Sequence, residues 1–254
     1  MVRFDNHSHI ILADITDMVE SAKARHVKQY SVTEHVSQFK SMRQSVAFGS
    51  VHKKGRIFED LKAYRKEFSK VGDPELLGMR VKMGLEVDFA PRYEARVGNF
   101  VNQEAWDILL CSVHELEDGG DVEDARAKPF DKAEARGLWT EYLGLEQAAL
   151  ESDFVPFNVL THPIRLSRRS GRAPDEIDDL LLGMAKTARR RRVALEFNGS
   201  DLGCAPELVR RLARACSKGG CRVSLGSGAH YPKDVFQRMT DAMALVKEFE
   251  LQLA

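Results

Sequence analysis

His7 and His9 stand one residue apart near the start of the chain, in the run Phe4-Asp5-Asn6-His7-Ser8-His9. In extended backbone residues i and i+2 point the same way, so both imidazoles face one side with Asp5 beside them, a spacing that suits a metal ion. Alone, His-x-His more often marks a solvated or core pair. The other histidines change that balance: His35, His114, His162 and His230 each fall after a stretch expected to be a strand, as His7 and His9 do, and Glu86 closes another, Met83-Gly84-Leu85-Glu86-Val87. Six of the eight histidines thus fall where strands are expected to end, whereas His26 and His52 do not. Five or six imidazoles with a carboxylate exceed the three or four protein ligands of a single catalytic zinc, so two or three divalent ions bridged by Glu86 and a water are expected. Imidazole with carboxylate suits Zn, Mn or Fe. The four cysteines, Cys111, Cys204, Cys216 and Cys221, form no C-x-x-C and occupy no ligand position. A chain of this length needs no disulfide staples, and they read as reduced thiols.

The elements that must position these residues alternate along the whole chain. Period and turn residues predict strands over 2–4, 29–33, 83–87, 106–113, 157–160, 193–197 and 222–225, separated mostly by helices over 14–25, 57–68, 132–150, 174–192, 206–217 and 232–251. Asp14 or Thr16 would cap the first helix. The polar stretch 36–56 lacks periodicity and reads as a long loop of the kind that usually carries function. Seven strands with helical connections imply a parallel sheet closed as a distorted seven-stranded (β/α)7 barrel, TIM-barrel-like, an open doubly wound sheet being the competing arrangement. Both architectures place their chemistry at the carboxyl ends of the strands, where the histidines lie.

Composition narrows the partners. Of 254 residues 43% are hydrophobic and 30% charged, enough for one full core, and no linker divides the chain, so residues 1–254 are expected to form a single domain. Lys+Arg and Asp+Glu both number 38, so there is no overall basic field for nucleic acid or for an anionic membrane, and phosphate recognition must be local. The arginine run 189–192 reads as a solvated helix end, cations being favoured at a helix C-terminus. No leader pattern and no apolar run of about 18 residues is present, which points to the cytoplasm.

The motifs Asp5-x-His7-x-His9, Thr33-Glu34-His35, Gly84-Leu85-Glu86-Val87-Asp88-Phe89, Ser112-Val113-His114, Thr161-His162-Pro163, Ala194-Leu195-Glu196-Phe197-Asn198 and Gly226-Ser227-Gly228-Ala229-His230, followed by Pro232-Lys233-Asp234-Val235, cover essentially the whole chain. In type and order they resemble the polymerase and histidinol phosphatase (PHP) superfamily of metal-dependent phosphoesterases, its histidinol-phosphatase branch in particular. The resemblance implies a distorted seven-stranded barrel with a trinuclear site. It assigns one metal to His7, His9 and Glu86, a second to Glu86, His114 and His162, and a third to His35 and His230. The family usually completes the third from the loop after His9, where Asp14 is the only carboxylate; Asp14 serves equally well as a helix cap. The last turn departs from the family's Ser-Asp-Ala-His, in which the Asp holds the first metal, because Gly228 has no ligand to offer.

The activity so implied is hydrolysis of a small-molecule phosphomonoester, L-histidinol phosphate among the candidates, by a metal-activated water, the cations neutralising charge on the phosphoryl oxygens. Arg165, Arg168, Arg169 and Lys233 are the candidate phosphate-binding cations near His162 and His230, since guanidinium grips phosphate bidentately. Protonation of the leaving group falls to Asp5, Glu34 or a metal-bound water. Two other readings remain open: an amidohydrolase-type hydrolase, whose mid-barrel lysine has no counterpart here, and an accessory PHP domain whose turnover is reduced by the Gly228 departure.

Overall fold

A computed structural model describes residues 3–43, 55–72, 78–117, 120–122, 131–167 and 173–254. Seven strands run through it: β1 (Phe4–Asp5), β2 (Gln29–His35), β3 (Arg80–Asp88), β4 (Ile108–Ser112), β5 (Val159–Leu160), β6 (Ala194–Asn198) and β7 (Val223–Gly226). All neighbouring pairs are parallel and the sheet order is the chain order, the arrangement expected when each connection crosses over outside the sheet. The first and last strands then meet. Asn6 N–H donates to the Leu225 carbonyl at 2.8 Å, Gly228 N–H to His7 at 2.9 Å and His9 N–H to Ala229 at 2.8 Å, so the sheet curls into a barrel that closes beside the predicted site.

Alternation along the strands sorts side chains between two apolar environments. Leu85 and Val87 of β3, Leu109 and Cys111 of β4, Leu160 of β5, and Leu195 and Phe197 of β6 join the large core beneath the helices. Ile108, Leu110, Val159 and Ala194 form a separate small cluster on the opposite face, the barrel interior. The same parity sends Glu86, Asp88 and Glu196 inward near the strand ends. The interior is tight: a Cβ on Gly84 would lie 2.7 Å from the Ile108 carbonyl oxygen, which is why β3 carries glycine two residues before Glu86.

Helices cover the outside. Ile15–Ala24 begins at Asp14, whose carboxylate accepts from Thr16 N–H, and buries Ile15, Met18, Val19 and Ala22. Lys132–Glu151 begins with a capping box in which Asp131 and Glu134 satisfy each other's backbone donors. Pro206–Gly219 ends at Gly220 in the left-handed conformation, φ +70°. Several sequence expectations shift by a few residues and three change character. The helix expected over 57–68 starts only at Leu61, because Phe58 instead bridges to Phe39 and Asp60 supplies the cap. The stretch 36–43 is a short 3-10 turn and a helical turn, Lys40–Arg43, while 44–54 lie outside the described residues. The closing helix expected over 232–251 is confined to Met239–Glu248, since Phe236 and Arg238 adopt left-handed φ values of 61° and 57°. Two helices were not anticipated, Glu94–Val101 and Gly199–Cys204.

Candidate metal centre

The six predicted histidines arrive at the same end of the barrel from five strands. His7 and His9 follow β1, His35 closes β2, His114 follows β4, His162 follows β5 and His230 follows β7. Glu86 enters from β3, fully buried. Its Oε2 lies 3.1 Å from His7 Nε2, 3.4 Å from His9 Nε2 and 3.0 Å from His35 Nδ1; its Oε1 lies 3.0 Å from His162 Nε2 and 3.6 Å from His114 Nε2. The rings pack in layers, His9 stacking on His35 with centroids 4.0 Å apart and on His230 at 4.4 Å. Among the described residues three overlapping sets bring ligand atoms close enough to hold an ion: His7, His9 and Glu86; His35, Glu86 and His114; and His9, His35 and His230.

The nitrogens that face outward have partners of their own. His7 Nδ1 meets Glu196 Oε1 at 2.9 Å, His114 Nδ1 meets Asp88 Oδ1, His9 Nδ1 lies 3.6 Å from Glu34 Oε1, and His230 Nδ1 donates to the Gly228 carbonyl at 3.1 Å. This is the outer layer that turns a histidine's other nitrogen toward a metal. Sequence reasoning quoted Asp88 and Glu196 within motifs but gave them no role. The usable signal was parity, Asp88 two residues after Glu86 and Glu196 on the inward face of an apolar strand.

Electrostatics follow from that packing. Burial disfavours ionisation of Glu86, yet the surrounding imidazoles of His35 and His7 outweigh it and hold the carboxyl well below its usual range. Burial likewise opposes a charged His7, but the Glu196 and Glu86 carboxylates push it up to about 10. Burial and then the neighbouring His9 drive His35 down to about 3. A buried carboxylate ringed by imidazoles is a site suited to positive charge. Its donors fit a divalent cation: His7 Nε2 and His9 Nε2 confront each other at 3.0 Å, and His230 Nε2 is buried with no hydrogen-bond partner among the described residues.

The remaining predicted residues lie as follows. Asp5 is fully buried and its two oxygens accept from Ser227 N–H and Phe236 N–H, both at 2.8 Å. Glu34 accepts from Ile10 N–H and His35 N–H, each at 3.0 Å, and burial raises its pKa as it does that of Asp5. Both carboxylates thus brace the backbone on which the histidines sit. Asp14 caps its helix and lies 3.9 Å from Lys70; none of the candidate ion sets among the described residues includes it. Arg165 is buried, 3.3 Å from Asp201, and Lys233 is exposed with its ammonium 5.8 Å from the Tyr231 ring. Arg168 and Arg169 lie outside the described residues.

A parallel β/α barrel with imidazoles and one shared carboxylate at the strand ends defines a hydrolase-type metal centre. The family model of the PHP domain matches residues 5–200, and the chain belongs to the PHP domain family. The chain is similar to a protein of Deinococcus radiodurans named probable histidinol-phosphatase, 28% identical over 198 residues that cover 75% of this chain and 73% of that one. Its fold is similar to that of histidinol phosphate phosphatase HisK from Lactococcus lactis, solved with zinc, L-histidinol and phosphate, with a TM-score of 0.79, 19% identity and coverage of 99% and 95% of the two chains.

Proposed function

We propose that this protein is a metal-dependent phosphatase that hydrolyses a small-molecule phosphomonoester, with L-histidinol phosphate as the first substrate to test. The observation that carries the reading is Glu86, whose two oxygens face His7, His9 and His35 on one side and His162 and His114 on the other. One carboxylate so placed is suited to join neighbouring cations, and the relatives named for histidinol phosphate supply the substrate class.

Zinc is the first ion to try, and manganese and iron suit the same imidazole and carboxylate donors. His7, His9 and Glu86 would hold one ion; Glu86, His114 and His162, whose Nε2 atoms both face Glu86 Oε1, a second; His35 and His230 a third, with His9 close enough to join it and His35 close enough to Glu86 and His114 to be shared. Ions there would lower the pKa of a coordinated water and neutralise charge on the phosphoryl group. The chain's own residues do the rest. Glu196, Asp88 and the Gly228 carbonyl orient His7, His114 and His230; Asp5 and Glu34 fix the loops. Arg165 and Lys233 are the cations proposed to orient the ester, Lys233 from the exposed rim. Among the described residues no helix is long and apolar enough to cross a membrane.

The amidohydrolase alternative requires a lysine at a mid-barrel strand end, and β4 and β5 lead instead into His114 and His162. Phosphate release from L-histidinol phosphate and a panel of small phosphomonoesters, by chelator-stripped protein before and after zinc or manganese is restored, tests the reading. Metal-restored turnover is expected. A fully metal-loaded protein inert on every ester would favour the accessory role instead.

A further inference from the structure

Glu196 occupies an unusual position: a carboxylate at the inner end of β6, 1% exposed, 189 residues from the histidine it contacts. Its surroundings dictate its hydrogen bonding atom by atom. Asn198 Oδ1 accepts from Ser200 N–H at 3.0 Å, capping the helix Gly199–Cys204, so the Asn198 amide nitrogen must point the other way, and it donates to Glu196 Oε2 at 3.1 Å. His162 N–H donates to the same Oε2 at 2.9 Å, from a backbone held at the left-handed φ of 32°. Oε2 is therefore committed to two fixed donors. Oε1 is left to face His7 Nδ1 at 2.9 Å, and a carboxylate can only accept there.

We infer that Glu196 is the positioning residue that fixes His7 with its proton on Nδ1, so that Nε2 is presented as a bare lone pair beside His9 Nε2 and Glu86 Oε2; the inference rests on the metal-centre reading of this site. Neutral imidazole carries one ring proton, and a hydrogen on Nε2 would block ligation altogether. Because Gly228 contributes no side chain, the set His7, His9 and Glu86 depends on each of its three ligands, and Glu196 delivers its negative charge through the His7 ring.

Gly226 belongs to the same device. A Cβ at this position would lie 2.1 Å from Glu196 Oε1 and 2.4 Å from His7 Cβ, so β7 is stripped to backbone where the carboxylate passes to the imidazole. Asparagine, aspartate and alanine are all excluded from 226 by the same contact.

Glu196→Gln is the informative change because it is isosteric. Glutamine can accept from His162 N–H and Asn198 only with its oxygen in the Oε2 place, which turns its NH2 toward His7 Nδ1. His7 must then accept at Nδ1 and carry its proton on Nε2. Zinc titrated into chelator-stripped wild type and Glu196→Gln, against a competing chromophoric chelator, should show the tightest phase weakened by at least about tenfold in the variant, as losses of such outer partners usually cause. The 15N spectrum of histidine-labelled, zinc-loaded wild type should show one ring bound through Nε2 with its proton on Nδ1, a signature lost in Glu196→Gln, with the urea midpoint nearly kept. Zinc affinity equal to wild type in Glu196→Gln, or an unchanged ring pattern, would overturn the inference while leaving the metal-centre reading in place. A wild-type protein that binds no zinc would overturn both.

Discussion

Asp5 and Ser227 tie the two ends of the barrel together: the Asp5 carboxylate at the end of β1 accepts the Ser227 amide proton at 2.8 Å, just past β7. Its other oxygen takes Phe236 N–H at the same distance. Asp5→Asn would set an NH2 against one of those amides. The expected outcome is a loss of about 1–3 kcal/mol of stability, the cost of a buried donor left unsatisfied, with the pH profile of phosphate release keeping its shape. Urea unfolding and a pH–rate series read the two separately. A changed acidic limb with an unchanged urea midpoint would return Asp5 to proton transfer.

Gly228 sits at φ +63°, and a Cβ there would lie 3.0 Å from the Asn198 side-chain nitrogen. Restoring a carboxylate by Gly228→Asp therefore carries both left-handed backbone strain and a displaced Asn198, the partner of Glu196. We expect the variant to lose about 1 kcal/mol, with Gly228→Ala losing a similar amount. Zinc affinity should gain nothing. Tighter zinc binding in Gly228→Asp without loss of stability would show that the turn accommodates a ligand.

Glu146 offers a pH test outside the metal cluster. Its carboxyl is fully buried in Lys132–Glu151, and burial lifts its pKa from an ordinary 4.5 to about 8. Below the unfolded value both states are protonated and the group costs nothing. As pH rises from there through about 8, the unfolded chain ionises and the folded one does not, so stability is lost across that window. Glu146→Gln should match wild type near pH 4.5 and exceed it increasingly toward pH 8.5, by a few kcal/mol at most. Urea midpoints at the two pH values decide it, and a difference that does not grow with pH contradicts the assignment.

Arg165 is buried against Asp201, so its replacement acts on the fold before it acts on substrate. Arg165→Ala should lower the urea midpoint by an amount near 3 kcal/mol, the usual cost of orphaning a buried partner. Arg165→Lys keeps the charge but loses the planar fork. If Arg165 also orients phosphate, competitive inhibition by inorganic phosphate weakens several-fold in Arg165→Lys while bound zinc is unchanged; identical inhibition constants would confine Arg165 to its structural pair.

The histidines were legible in the sequence because strand alternation and the carboxyl-end rule act locally: a six-residue window suffices to place His35 at the end of β2 or Glu86 inside β3. The helix Lys132–Glu151 was legible for the same reason, its cap and its period both being local. Glu196 was not, because its role exists only once β6 and β7 stand beside β1 and close the barrel. The break in the expected last helix has the same origin: Phe236 leaves the helical region to give its N–H to Asp5, 231 residues away. The helix Glu94–Val101 was hidden by Pro91 and Gly98, both of which argue for a loop when read alone. Asp14 could be read as ligand or cap, and the backbone that decides, φ −76° and ψ 144° with Thr16 N–H bound to its carboxylate, is that of a cap.

The sharpest test is Glu86→Gln. Metal content per chain by elemental analysis and phosphate release from L-histidinol phosphate are measured together on wild type and variant, each stripped and reloaded with zinc. A carboxylate that joins His7, His9 and His35 to His114 and His162 predicts that the variant retains its fold, because the apolar core lies below the site, but binds fewer ions and hydrolyses the ester at least about a hundredfold more slowly. Wild-type metal content and wild-type turnover in Glu86→Gln would contradict it.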